Sequence, residues 1–194
     1  MSFFLCFEHI INKGEICMNL KKIKIIGIFA VFLLSFPIHF LYDFFPNVLT
    51  SVFAPVNESI WEHMKMIFTA YLLYGGVEYL IFREKTKWNN YVLQLFIVPL
   101  IGVMIYLSIY LPLFNIFGEN MIISIVLLFI VIVIEEVISY YILAMEEIKN
   151  QRIIGIVGLA VTYSIFVYLT YNPPKNYLFY DMKEEKYGVD IYVK

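Results

Sequence analysis

The chain has 194 residues, of which 61% are apolar, 19% aromatic and 15% charged, and its mean hydropathy is +0.78. These values exclude an ordinary soluble domain of this size and point to a multi-pass membrane protein. The net charge of −2 excludes nothing, because the placement of Lys and Arg in the loops matters in such proteins and their sum does not.

Residues 1–17, "MSFFLCFEHIINKGEIC", neither lead into a span nor carry the basic start and small-residue cleavage site of a signal peptide. Lys13-Gly14-Glu15 back-translates to AAR GGN GAR, which can hold a purine-rich ribosome-binding sequence, and it lies two codons ahead of Met18. Translation is therefore expected to start at Met18, which makes 1–17 a non-native upstream extension. Both cysteines, Cys6 and Cys17, fall within it, so disulfides, thiolate metal sites and thiol catalysis are not expected of the remainder.

A bilayer core of about 30 Å needs roughly 20 apolar residues in a helix. Runs at 22–42, 60–82, 89–111, 121–145 and 152–171 supply five. They are continuously apolar, whereas barrel strands alternate over about ten residues. The expected fold is all-α: an integral membrane bundle of five transmembrane helices over 18–172, then an extracytoplasmic tail, 173–194, too short to be a domain. Lys21, Lys22 and Lys24 precede the first span, Arg83, Lys85 and Lys87 follow the second, and Lys149 and Arg152 follow the fourth. The connections 43–59 and 112–120 hold no Lys or Arg, so the N-terminus is expected inside and the C-terminus outside.

The first connection, "DFFPNVLTSVFAPVNES", is too apolar for a solvated linker and is expected to lie in the outer interface or to re-enter the membrane. Pro99 should kink the third span. Asn172-Pro173-Pro174 ends the fifth, with the aromatic residues after it lying on the outer surface.

Charge gathers in "APVNESIWEHMK", residues 54–65. Ser59 with Glu62 matches a capping box, and Glu58, Glu62 and Lys65 share a helical face, with His63 about a quarter-turn away. The first span ends on the same side with His39 and Asp43, four apart. His39, His63 and Asp43 suit a divalent metal of the Zn or Mn type, with Glu58 or Glu62 as general base. The same residues also suit proton handling, or a plain salt-bridge and capping cluster that anchors the helix ends. No HExxH, GxSxG, Walker or dinucleotide motif is present, and Tyr74-Gly75-Gly76 reads as a helix-packing surface.

Glu135 and Glu136 lie roughly 22 Å along the fourth span, at about 1.5 Å per residue from Asn120. Carboxyls at that depth must face the bundle, pair or stay protonated. Glu78, on the face of Tyr71 and Tyr74, stands at similar depth. Glu78, Glu135 and Glu136 read as a proton or ion path, as the second half of one buried site with His63, or as interhelical hydrogen bonding by neutral carboxyls.

His39 with Tyr42-Asp43, the block Pro55-Val56-Asn57-Glu58-Ser59-x-Trp61-Glu62-His63-x-Lys65, and Asn172-Pro173-Pro174 with Phe179, Asp181 and Tyr187-Gly188 resemble a family of small bacterial multi-pass membrane proteins of unknown function. The likeness runs over nearly the whole chain from Met18, although the tail after Asp181 lacks the Pro and Thr-Gly of relatives. It implies a bacterial cytoplasmic membrane and a shared polar site, and it implies no reaction.

Three functions fit these features. A metal- or proton-coupled transporter accounts for buried carboxylates and a kinked helix, and with five helices it is expected to work as a homodimer. A membrane-embedded, metal-assisted enzyme acting on a lipid or isoprenoid head group accounts for His and carboxylates at the outer interface. A non-catalytic membrane partner subunit needs no site. In each case the partner is the lipid bilayer, and no nucleic acid is expected.

Overall fold

A computed structural model of the chain describes the backbone of residues 2–82 and 88–189, and the side chains of 20–82 and 88–189. The side chains of the expected extension 1–17, the basic residues Arg83, Lys85 and Lys87, and Asp190 and Lys194 lie outside the described residues.

The described residues form helices α1 (Ser2–His39), α2 (Leu41–Phe44), α3 (Val48–Phe53), α4 (Ile60–Phe82), α5 (Tyr91–Phe117), α6 (Met121–Ala144) and α7 (Gln151–Tyr171), then a hairpin of β1 (Tyr180–Asp181) and β2 (Lys186–Tyr187). The fold is helical, as the unbroken apolar runs require. Among the described residues four stretches are long and apolar enough to cross a membrane: Leu20–Phe44, Tyr91–Phe117, Met121–Ala144 and Gln151–Tyr171. The helix at the expected second span, α4, falls outside that set. It is 23 residues long, but Glu62, Lys65 and Glu78 dilute its apolar character, and 13 of its residues, all three of these included, are buried.

That burial follows from the packing. Helix α4 lies against α1 and α5, and α6 also lies against α1 and α5, so the four enclose a common interior. Helix α7 leans on α5 from outside and on α3. Val31 of α1, Met64, Ile67 and Phe68 of α4, Val98 of α5, and Val131 and Ile132 of α6 are all 2% exposed or less and share one apolar core. The opposite faces show Ile25, Phe29 and Leu33 of α1 and Ile153, Ile156 and Val157 of α7, the apolar exposure a lipid-facing surface requires. Between helices in lipid the attraction is close packing and hydrogen bonding rather than escape from water.

The connection from α1 to α4 is built of two short helices. Asn47 caps α3 through its side chain and forms a reciprocal capping box with Thr50, a cap that sequence inspection did not find. Phe44, Phe45, Val48 and Leu49 stand 64–74% exposed, while Ser51, Ala54 and Pro55 turn inward. Helix α5 continues through both Pro99 and Pro112.

After Asn172 the chain doubles back over the start of α4. The Trp61 N–H donates to Leu178 O (2.9 Å), Asn57 Nδ2 to Gly188 O (3.0 Å) and the Val189 N–H to Thr170 O (3.3 Å). Gly188 has φ +61° and sits against Pro173, a turn that an L side chain would strain. The tail is therefore part of the fold at this end and not a loose extension.

Candidate cation site and the cavity beneath it

Helix α1 ends where α4 begins, and this brings His39 and His63 together. His63 Nδ1 lies 2.8 Å from Ser59 O one turn earlier. Donation from Nδ1 to that carbonyl leaves the Nε2 lone pair directed outward. His63 Nε2 is 3.2 Å from His39 Nε2. Glu58 Oε2, in the irregular segment just ahead of α4, is 3.6 Å from His63 Nε2 and 3.8 Å from His39 Nε2. His39, Glu58 and His63 each offer a ligand atom, all within 4.8 Å of one another, and all three residues are half-buried.

This spacing suits a four-coordinate cation. Bonds of about 2.0–2.2 Å in a tetrahedral shell separate the ligands by roughly 3.3–3.6 Å. The observed separations fall at and just beyond that range. Two imidazoles and one carboxylate are a donor set for Zn-class cations, and three protein ligands leave a fourth position open. His39 Nδ1 has no hydrogen-bond partner among the described residues, and the ring is held by packing on Phe40 (centroids 4.7 Å).

A cavity of about 650 Å³ opens under the three residues, within the usual size range of ligand pockets. Its wall is mostly apolar and aromatic, with Phe36, Met66, Phe114, Ile125 and Leu128. Tyr106 and Tyr110 stack at 5.2 Å, and Ser124 Oγ donates to Tyr110 (3.2 Å). Glu119, Tyr180 and Lys183 complete the rim. A shallower depression of about 520 Å³ runs along α7 between Ala160 and Asn172, away from these ionisable groups.

The tail builds part of that rim. The buried Asp181 carboxylate accepts the Glu58 N–H (2.8 Å) through Oδ2 and the N–H groups of Lys183 (2.8 Å) and Glu184 (3.1 Å) through Oδ1. Burial pushes its pKa up, but the three N–H donors and the nearby Lys186 charge outweigh burial and hold it below the ordinary carboxylate value. Lys183 Nζ stands 3.8 Å from Glu58 Oε2. The family resemblance includes Asp181 among the positions of a shared polar site, but sequence inspection assigned it no role and did not mark Lys183. The available signal was Asp181 three residues before Glu184, a turn-forming spacing.

Two expected members lie elsewhere. Asp43 is exposed on α2, because the helix breaks at Phe40 and the four-residue spacing from His39 no longer defines one face. Glu62 points into the protein. Its carboxylate accepts the Val56 N–H (3.1 Å) and the Thr170 hydroxyl (2.8 Å) and pairs with Lys65, whose Nζ also donates to Ser51 O (2.8 Å) and Thr170 Oγ1 (3.0 Å). This buried pin ties α3, α4 and α7 together. Of the expected Ser59–Glu62 capping box only one half forms, with the Glu62 N–H on Ser59 Oγ at 3.4 Å.

The deep carboxyls form a separate group. Lys24 Nζ lies 2.6 Å from Glu78 Oε1 and 3.4 Å from Glu136 Oε2, with all three side chains at most 5% exposed. Lys24, expected to mark orientation only, is thus the internal partner of two glutamates. Glu136 packs on Gly27, where a Cβ would lie 2.6 Å from its carboxylate oxygen, and Glu135 packs so closely on Gly102 that a Cβ there would overlap it. Neither Glu135 oxygen has a partner among the described residues. Nearby, Gln94 Oε1 accepts from Tyr71 and from Ser139 (3.0 Å). Along the helices, Val31, Ile67, Leu128 and Ile132, all buried, lie between this group and the imidazoles. Among the described residues no hydrogen bond or ion pair joins these deep carboxyls to His63, and this apolar layer stands between the two polar groups.

This is an all-α protein with several helices apolar enough for a membrane and a three-residue polar cluster at one end of the bundle. The chain belongs to a family of unknown function, DUF6512, whose sequence profile matches residues 13–189. No curated protein and no solved structure matches it.

Proposed function

We propose that this protein is a membrane-embedded, metal-assisted enzyme acting on an amphipathic molecule such as a lipid or isoprenoid, with His39, Glu58 and His63 holding a divalent cation at the head-group position. The observation that carries the reading is the placement of three donor atoms on the wall of a cavity whose lining is mostly apolar. Phe36 of α1, Phe40 just after it and Met121 at the start of α6 line it and are 39–74% exposed; in this reading they form a side entrance from the bilayer. A bound Zn-class cation would polarise an oxygen of the head group.

The same reading takes α4 as a fifth span, its charged side chains turned inward, and puts α2 and α3 in the outer interface with their exposed phenylalanines in the head-group layer. The N-terminus is inside and the C-terminus outside the cytoplasmic membrane of a bacterium. Residues 173–189 then form the extracytoplasmic cover of the site.

A second reading, a proton- or metal-coupled transporter working as a homodimer, rests on Glu135, whose carboxyl has no hydrogen-bond partner among the described residues, beside the Lys24, Glu78 and Glu136 group. The apolar layer between the two polar groups would have to part in each cycle, and this favours the enzyme.

The test is to incubate the purified chain with a membrane lipid extract and follow head-group release by mass spectrometry. Release that needs added Zn²⁺ or Mn²⁺ and disappears in His63→Ala supports the enzyme. A chain that binds the cation and alters no lipid contradicts it.

A further inference from the structure

We infer that the cavity takes a molecule with an anionic, phosphate-class head group on an apolar chain, and that Lys183 is the residue that selects the anion. The inference rests on the cation reading of His39, Glu58 and His63. The fold itself places the ammonium: Asp181 accepts the Lys183 N–H on one oxygen and the Glu58 N–H on the other, so one carboxylate fixes both the turn that carries Lys183 and the segment that carries Glu58. Lys183 Nζ reaches the rim of the cavity, 3.8 Å from Glu58 Oε2, with its side chain 63% exposed.

The charges lining the cavity decide the head group. Among the described residues they are Glu58, Glu119 and Lys183, with His39 and His63 neutral when they act as ligands. A divalent cation and one ammonium against two carboxylates leave one positive charge over. When Glu58 turns to the cation, the ammonium loses its partner at the rim and becomes available to a phosphoryl oxygen. A neutral head group leaves that charge unmatched at the edge of an apolar cavity, and a phosphate monoester or diester matches it. The wall below, from Met121 to Leu128, extends about 10 Å along α6 at 1.5 Å per residue, a surface for hydrocarbon that a free phosphate would leave wetted.

The test uses the purified full chain in detergent. Zn²⁺ is titrated first, and the loaded protein is then titrated with a short-chain phosphatidic acid, the diacylglycerol with the same chains, and inorganic phosphate. Phosphatidic acid is expected to bind at least about tenfold more tightly than either of the others. Lys183→Gln should weaken its binding about fivefold, the scale of an exposed ion pair, with Lys183→Arg retaining it; Zn²⁺ affinity should be weakened in neither, and Lys183→Gln, which frees Glu58 from its competing ammonium, should if anything tighten it. Equal binding of phosphatidic acid and diacylglycerol, or no change in Lys183→Gln, overturns the anionic head group. Inorganic phosphate binding as tightly as phosphatidic acid overturns the requirement for a chain. A failure in the Zn²⁺ titration itself removes the cation reading on which the proposal stands.

Discussion

His39, closing α1, and His63, in the first turn of α4, face each other Nε2 to Nε2 at 3.2 Å with their rings 80° apart. Two neutral imidazole nitrogens at that distance need a proton or a cation between them. With a cation there, His39→Ala or His63→Ala should each weaken Zn²⁺ binding by at least about a hundredfold, beyond the effect of losing an outer-shell contact. Both side chains are only half-buried, so the melting temperature in detergent should move by no more than a few degrees. Chelator competition and a thermal melt on the same samples check both statements.

The buried pair Glu62–Lys65 should be structural. Lys65→Met leaves the Glu62 charge without its ammonium and is expected to cost about 3–5 kcal/mol. The double variant Glu62→Gln/Lys65→Met should be more stable than Lys65→Met alone, because no uncompensated charge remains. Unfolding followed by circular dichroism in a denaturing detergent series measures both. Zn²⁺ affinity in the folded double variant should stay close to that of the wild type.

Gly102 is where it is because Glu135 fills the space a methyl group would need. Gly102→Ala is expected to cost about 1–3 kcal/mol by overpacking. Glu135→Ala in the same chain should recover part of that loss, a coupling that a double-mutant cycle on thermal stability reads directly.

Asp181 makes the docking of the tail depend on pH. Folding lowers the pKa of this carboxyl, so its contribution is complete above the unfolded value of about 3.9 and fades as pH falls through the lower folded value. Trp61 packs on Phe179 of the tail at 5.1 Å and reports the docked state. In a Trp88→Phe background, Trp61 fluorescence should change below about pH 4. Asp181→Asn, which sets an amide N–H₂ or a single carbonyl against three N–H donors, should show the changed signal already at neutral pH.

The helices were readable because each apolar run is cut off by polar or turn-forming residues, and Asn90, Asn120 and Asn150 stand at the starts of α5, α6 and α7. The meeting of His39 and His63 was readable too, since antiparallel neighbours place the end of one helix beside the start of the next. What could not be read depended on contacts distant in sequence. Glu62 looked as available as Glu58 until Thr170 and Lys65 enclosed it. Lys24 had an orientation rule to account for it, so nothing called for an internal partner. Asp43 stands outside the His39–Glu58–His63 group for a local reason, the break at Phe40, which the apolar pattern of the run conceals. The part of the tail in the site is set by the Asp181 bond to the Glu58 backbone, and no periodicity encodes a bond of that kind.

Elemental analysis of the detergent-purified protein after exposure to Zn²⁺ and removal of excess decides whether His39, Glu58 and His63 hold a cation. Close to one ion per chain is expected in the wild type and none in a His39→Ala/His63→Ala variant of unchanged helical content. A wild-type protein that retains no metal, or a double variant that retains as much as the wild type, would contradict the cation reading.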